Sequence, residues 1–161
     1  MAGARGRIDW SDDGHANVRF DRHIDGVRME ALWAAVTQAA HLAAWLGGSS
    51  VVGPVGGAVS LELPRPASGS VTVWDPAWVL EMALVTDGQP GGVLRWDFER
   101  DAAGSGIILL HRRLPADVAA DWAAGWDVAL DALEGHVTGL GPEPGSWAAR
   151  VAAARAAYLP V

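Results

Sequence analysis

The stretch LWAAVTQAAHLAAWLGG, Leu32–Gly48, decides the fold. Apolar residues recur in it at intervals of three and four, as they do on one face of a helix, and they fall into two blocks. Thr37 and Gln38 lie between the blocks, where a threonine, which favours caps over helix interiors, indicates a break. The paired glycines Gly47 and Gly48 end the second block. The stretch therefore predicts two short helices in succession.

The segments on both sides of these helices alternate between apolar and polar residues, which predicts half-buried strands. Before the helices, Val18, Phe20, Arg22 and Ile24 fall on one face of a strand. After the helices, turns that contain glycine or proline separate about six further strands. Residues 1–16 are polar and rich in turn formers, and we expect them to form a loose lead-in.

A long amphipathic helix follows the strands. It begins at Pro115 and ends at Gly139, and its apolar stripe comprises Val118, Trp122, Trp126, Leu130, Leu133 and Val137. A linker and a short helix capped by Ser146 account for residues 140–161. Sequential hairpins imply an antiparallel sheet whose apolar face has to be covered, and the long helix is the element that can cover it. The sequence thus predicts an α+β domain at residues 17–139: a curved antiparallel β-sheet of about six to seven strands, two short helices after strand 1, and a long C-terminal helix packed over the sheet.

Composition limits the classes of function. The chain has 161 residues, a formal net charge of −7 and no cysteine, and all of its cations are arginines. Its one basic pair, Arg112 and Arg113, does not make the basic face that binds phosphates, so we expect no nucleic-acid partner. No apolar run is long enough for membrane insertion, and we expect a cytoplasmic protein. The histidines lack the spacing of a metal site, so the sequence predicts no metal and no cofactor.

Three groups of motifs resemble the START/Bet v 1-like superfamily, and within it the bacterial family related to the C-terminal domain of the Hsp90 ATPase activator. They are VRFDRHID with LWAAVTQAAHLAAWLG, VGGAVSLEL with SGSVTVWDPAWVLEMAL, and GWDVALDALEGHVTG. The resemblance covers residues 17–139 and implies a helix-grip fold with a cavity between the sheet and the long helix. The chain departs from the family's pattern in two loops, at residues 26–29 and 38–40. The family has no single catalytic motif, so no catalytic residue carries over.

The residues expected to line this cavity are apolar and largely aromatic: Leu46, Leu80, Met82, Leu94, Trp96, Phe98, His111, Trp122, Trp126 and Leu130. Such a lining suits a small hydrophobic or aromatic ligand, such as a lipid or a polyketide-like metabolite, oriented by a few polar groups. The alternative is that the same side chains fill the gap. The chain has nine tryptophans, and each can bury on the order of 200 Å².

His111 is the polar member of this set. It shares a strand face with Ile107 and Leu109, so it could enter the cavity as a hydrogen-bond donor or an acid-base group. An exit from the sheet edge toward solvent is the more common arrangement for such a residue. A cyclase- or dehydratase-type enzyme would need a polar group in the cavity, supplied by His111, His41 or Thr37, but nothing in the sequence demands catalysis.

Two further roles stay open beside ligand binding. The resemblance to the Hsp90 activator implies a protein-interaction module whose partner would be an Hsp90-type chaperone. The chain could also form a homodimer through a sheet edge or through the short helix of its tail. Binding of a small apolar molecule is the role that the apolar lining favours.

Overall fold

The computed structural model describes residues 6–142 and 144–159. Its elements follow the predicted order, and they are β1 (Arg7–Trp10), β2 (His15–Asp25), α1 (Met29–Thr37), α2 (Ala39–Trp45), β3 (Ser50–Val51), β4 (Ala58–Leu61), β5 (Ala67–Asp75), β6 (Val79–Thr86), β7 (Gln89–Arg100), β8 (Gly104–Pro115), α3 (Ala116–Thr138) and α4 (Trp147–Arg155), followed by a 3₁₀ turn at Ala156–Tyr158.

The strands form one antiparallel sheet in the order β1-β2-β8-β7-β6-β5-β4-β3. Six to seven strands were expected, and the additional one is β1, an edge strand in which Ile8 lies opposite Val18. The expectation of a loose lead-in is therefore wrong for residues 7–10, and β2 also begins earlier than expected, at His15. Only Ile8 of β1 is partly buried, so the strand is too short and too exposed to show an alternating pattern.

The inner face of the sheet is buried beneath α3, as the alternating pattern predicted. In β2, Val18, Phe20 and Ile24 are buried whereas Asp21 and His23 are exposed. The same period of two continues in β6, β7 and β8. The sheet therefore presents a surface to the helices that is apolar apart from a few buried polar residues, Arg22, Ser105 and His111 among them.

The predicted break between the two short helices is confirmed at Gln38. Its backbone is extended, with φ −88° and ψ 131°, so it ends α1 and begins α2. The indole N–H of Trp45 donates a hydrogen bond to the carbonyl oxygen of Ala35 over 2.8 Å and ties α2 to α1. Trp33 packs edge-on against Trp74, with ring centroids 4.9 Å apart, and holds α1 on the sheet.

α3 is buried over a wider face than its predicted stripe. Ala120, Ala124 and Val128 are buried as well, and they lie on the opposite side of the helix from the stripe. They are covered because α4 turns back and packs on α3. Gly125 is required by close packing, since a Cβ there would lie 2.5 Å from the Cβ of Pro64. Among the residues that the structure describes, no helix is both long and apolar enough to span a membrane.

Candidate functional site

All ten residues predicted to line a cavity are buried, and they lie between the sheet, α2 and α3. Leu80, Met82, Leu94, Trp96 and Phe98 come from β6 and β7, Leu46 directly follows α2, and the others come from β8 and α3. The structure thus brings these side chains together in the core. Whether any of them contacts a ligand stays a prediction.

The aromatic rings largely close the gap between sheet and helix. Trp96 meets Trp126 edge-to-face at a centroid distance of 5.8 Å and an interplanar angle of 90°. Trp45 meets the same Trp96 ring at 6.3 Å and 85°. The cavity that remains has a volume of about 10 Å³. One water molecule is the most that such a space can hold.

His111 points into this core. It is fully buried, so the expectation that it exits toward solvent is wrong: its strand continues to Pro115 and keeps it under α3. Its Nε2 lies 2.8 Å from the carbonyl oxygen of Gly91, and the indole Nε1 of Trp126 lies 3.0 Å from its Nδ1. A carbonyl only accepts and an indole N–H only donates. His111 is therefore the neutral tautomer with its proton on Nε2.

The same geometry accounts for the acid-base behaviour of His111. Burial lowers its pKa to about 4, against a smaller opposite effect of the Gly91 carbonyl. The hydrogen bond from Trp126 acts in the same direction as burial, because Nδ1 accepts that bond only when it is unprotonated. Both ring nitrogens are satisfied within the core, so His111 serves as a packing and hydrogen-bonding residue.

Thr37 and His41 are also engaged elsewhere. The Thr37 hydroxyl donates to the carbonyl oxygen of Trp33, 2.6 Å away on the same helix. Nδ1 of His41 lies 2.9 Å from Nε2 of His136 in α3. Neither side chain enters the gap beneath α3, so the three polar groups considered for catalysis are not brought together.

A larger cavity lies outside the core, where α2, the C-terminal half of α3 and the start of α4 meet. This cleft has a volume of about 440 Å³ and opens to solvent. The described residues that line it are mostly apolar, and they are Ala44, Trp45, Gly47, Leu63, Ala132, His136, Gly141, Pro142, Gly145, Trp147 and Arg150.

The turn after α3 shapes this cleft. Gly139 ends the helix in the left-handed conformation, and the N–H of Gly141 donates to the carbonyl oxygen of Gly135. A Cβ on Gly135 would lie 2.4 Å from the carbonyl oxygen of Gly141. Only glycine at position 135 therefore lets the chain return so close to α3. The Ser146 hydroxyl then accepts from the N–H of Ala149 and begins α4. α4 runs back along α3 and places Trp147 and Arg150 at the cleft.

The polar groups of the cleft are few. His136 shares a hydrogen bond with His41, and its pKa is lowered by burial and by the charge that His41 can carry. Two imidazoles at this distance hold the bond only while one of them is unprotonated. Arg150 brings the guanidinium, and among the described lining residues there is no carboxylate.

Trp45 divides the cleft from the core. Its side chain lines both the 440 Å³ cleft and the 10 Å³ inner cavity. Its indole N–H is fixed by Ala35, and its ring rests against Trp96. We therefore expect removal or rotation of this ring to join the two spaces.

A buried ionic cluster is a feature that the sequence did not reveal. Arg22 of β2 reaches α3, where its guanidinium lies 3.2 Å from Asp127 Oδ1 and 2.8 Å from Asp131 Oδ1. The hydroxyl of Tyr158 donates to Asp127 Oδ2 over 2.6 Å and accepts from the N–H of Gly6. The one sign of this cluster in the sequence is Arg22, a charged residue on the otherwise apolar face of β2. The cluster holds the tail against β2 and α3, at a distance from the cleft.

No metal site emerges from the part of the chain that the structure describes: no three of its His, Asp or Glu side chains gather closely enough to hold an ion.

The match to a known family agrees with this architecture. Residues 27–138 match the family described as Activator of Hsp90 ATPase homolog 1-like protein. The chain belongs to this family. The matched segment runs from the start of α1 to the end of α3. The START/Bet v 1-like resemblance read from the motifs is therefore confirmed. No curated protein matches the chain.

Solved structures of the same architecture support the fold of this family member. CalU16 from Micromonospora echinospora superposes with a TM-score of 0.77 at 19% identity, over 98% of this chain and 95% of that one. The Aha1 dimer from Colwellia psychrerythraea gives 0.67 at 18%, over 75% and 95%. DynU16, a protein in the dynemicin biosynthetic locus, gives 0.69 at 18%, over 78% and 48%. At these identities the likeness shows the helix-grip fold.

Proposed function

We propose that the protein binds a small, mostly apolar molecule in the cleft between α2, α3 and α4. The observation that carries this proposal is the contrast in volume between the cleft, about 440 Å³, and the inner cavity, about 10 Å³. Small-molecule sites have volumes of roughly 300–1,000 Å³ and are lined mainly by apolar and aromatic side chains. The cleft meets both conditions, and the gap beneath α3 does not meet the first.

The proposal changes the role of the residues first expected to line the site. Met82, Leu94, Trp96 and Trp126 form the wall behind Trp45 instead of the first contacts of a ligand. A ligand that displaced Trp45 would reach them, so they are the second set of contacts for a longer molecule. One structural neighbour belongs to a biosynthetic locus, and that setting is consistent with a small-molecule ligand.

A ligand screen with two matched variants tests the proposal. Ala132 lines the cleft, whereas Ala153 on α4 is exposed and lies outside it. We expect lipids, aromatic acids or polyketide-like metabolites to raise the melting temperature of the wild type and of Ala153→Trp. Ala132→Trp fills the cleft and should abolish the shift while keeping the wild-type circular dichroism spectrum. No shift with any compound, or an unchanged shift in Ala132→Trp, would overturn the proposal.

A second candidate is an interaction with an Hsp90-type chaperone, and the family description favours it. Its test is a pull-down with a bacterial Hsp90 and an assay of that chaperone's ATPase rate. A rise in the rate would support this role. If the chaperone does not bind and its rate does not change, the role is ruled out.

Dimerisation is a separate proposal, because one neighbour of the same fold is described as a dimer. Light scattering on the full chain decides it. In this structure the tail packs on its own α3, so a dimer would use a sheet edge or the outer surface of α4.

A further inference from the structure

We propose that the cleft selects apolar molecules that carry a carboxylate, and that Arg150 is the residue that binds this group. The inference rests on the proposed function and deepens it, because it names the chemical class of the ligand. The site combines a mostly apolar lining with one guanidinium.

Among the arginines that the structure describes, Arg150 is the one without an ion-pair or ring partner among the described residues. Every other arginine that the structure describes has one, either a carboxylate within 4.0 Å or, for Arg100, the ring of Trp78. The guanidinium of Arg150 makes no ion pair with any described residue. In a chain with 19 acidic residues and 12 arginines, carboxylates are available to almost any cation on the surface.

The placement of Arg150 makes this missing partner meaningful. Its side chain is half-buried at the cleft, and its Cγ and Cδ lie close to Gly145. The side-chain stem therefore packs on Gly145, and Arg150 contributes the one guanidinium among the described residues that line this mostly apolar space. A cation in such surroundings attracts an anion more strongly than one in open water, because the local dielectric constant is lower.

The charges of the lining specify which anion fits. Guanidinium binds a carboxylate through two parallel N–H···O bonds. The described lining holds one arginine and one histidine, and His136 already shares a hydrogen bond with His41. One guanidinium balances the single charge of a carboxylate, whereas a phosphate dianion would leave one charge without a partner in a mostly apolar cleft.

Matched acid and amide probes test the inference. The pairs are 2-naphthoate with 2-naphthamide and octanoate with octanamide, titrated by calorimetry or NMR. We expect the wild type to prefer each acid over its amide by on the order of tenfold, as a charge-assisted bidentate pair provides. In Arg150→Gln the acid should bind about as weakly as the amide, which is itself unaffected.

The control variant is Arg28→Gln. Arg28 precedes α1, is largely exposed and is absent from the cleft, and its loss changes the net charge by the same amount. It should keep the preference for the acid. If amides bind as tightly as acids, or if Arg150→Gln keeps the preference, the inference is overturned while binding in the cleft stands. If no acid, no amide and no compound of the wider screen binds, both proposals fail together.

Discussion

The indole N–H of Trp126 donates a hydrogen bond to Nδ1 of His111 across 3.0 Å, in the middle of the core. Nε2 of the same imidazole donates to the Gly91 carbonyl oxygen. These two bonds satisfy both ring nitrogens of the buried imidazole that β8 places beneath α3. They explain how a histidine can be packed among the aromatic rings of the inner face without leaving a ring nitrogen unsatisfied.

Replacing Trp126 with Phe should therefore cost more stability than replacing Trp122 with Phe. Both substitutions remove the same part of a buried ring. Of the two indole N–H groups, only that of Trp126 donates a hydrogen bond to a described residue. The loss leaves Nδ1 of His111 without a donor, which costs about 1–3 kcal/mol beyond the change in volume. Urea denaturation of the two variants measures the difference. Equal losses would contradict the role assigned to this bond.

Acid should destabilise the protein through His111. Its pKa is about 4 in the folded chain and 6.5 in an unperturbed one, so the unfolded state binds more protons between these values. Above pH 6.5 the imidazole is neutral in both states, so His111 adds no pH dependence to the free energy of unfolding. It falls by on the order of 3 kcal/mol as the pH decreases toward 4.

Denaturation curves of the wild type and of His111→Gln across that pH range measure this effect. The variant should lose most of the dependence. His136→Gln serves as the comparison, because the pKa of His136 is lowered in the same direction but the ring is only half-buried. If the free energy of unfolding of His111→Gln falls with pH as steeply as that of the wild type, other groups cause the pH dependence.

The hydroxyl of Tyr158 should anchor the tail. Tyr158→Phe keeps the ring against Phe20 but removes the donor to the buried carboxylate of Asp127. Loss of a hydrogen bond to a buried charge lowers the free energy of unfolding by about 1.5–3 kcal/mol. Hydrogen exchange should also become faster in α4, and an unchanged exchange rate there would contradict the anchoring role.

Substitution of Trp45 by Ala should join the cleft to the inner cavity. We expect the variant to lose about 3–5 kcal/mol of stability, as large-to-small changes in a core do. It should in return bind indole, the ring that was removed, with chemical-shift changes at Met82 and Leu94. Trp33→Ala is the control, because Trp33 packs on Trp74 and lines neither space. Indole binding to both variants, or to neither, would contradict the dividing role of Trp45.

Local patterns predicted the elements of the fold. The break at Gln38, the end of α3 at Gly139 and the cap at Ser146 each depend on the backbone preference of one or two residues, so they are readable in the sequence. The burial of alternating residues in β2 is readable for another reason, because apolar and polar side chains alternate along the strand. β1 was missed because an edge strand of four residues is held by backbone pairing, which leaves little trace in side-chain pattern.

The site depends on contacts between distant segments, and these could not be predicted. The cleft exists because α4 returns along α3, which brings Arg150 and Trp147 to a surface shared with Trp45. Nothing in the sequence distinguishes Asp127 from the other acidic residues of α3, and its role follows only from the positions of Arg22 and Tyr158 beside it. The residues of the core were found correctly, but their volume, which decides whether they leave a cavity, is a property of the packed molecule.

Nuclear Overhauser contacts of a bound ligand with assigned methyl groups test the central claim most directly. The account predicts contacts with the methyls of Ala44, Leu63 and Ala132 in the cleft. Contacts confined to the methyls of Met82 and Leu94, beneath α3, would place the ligand in the core and contradict it.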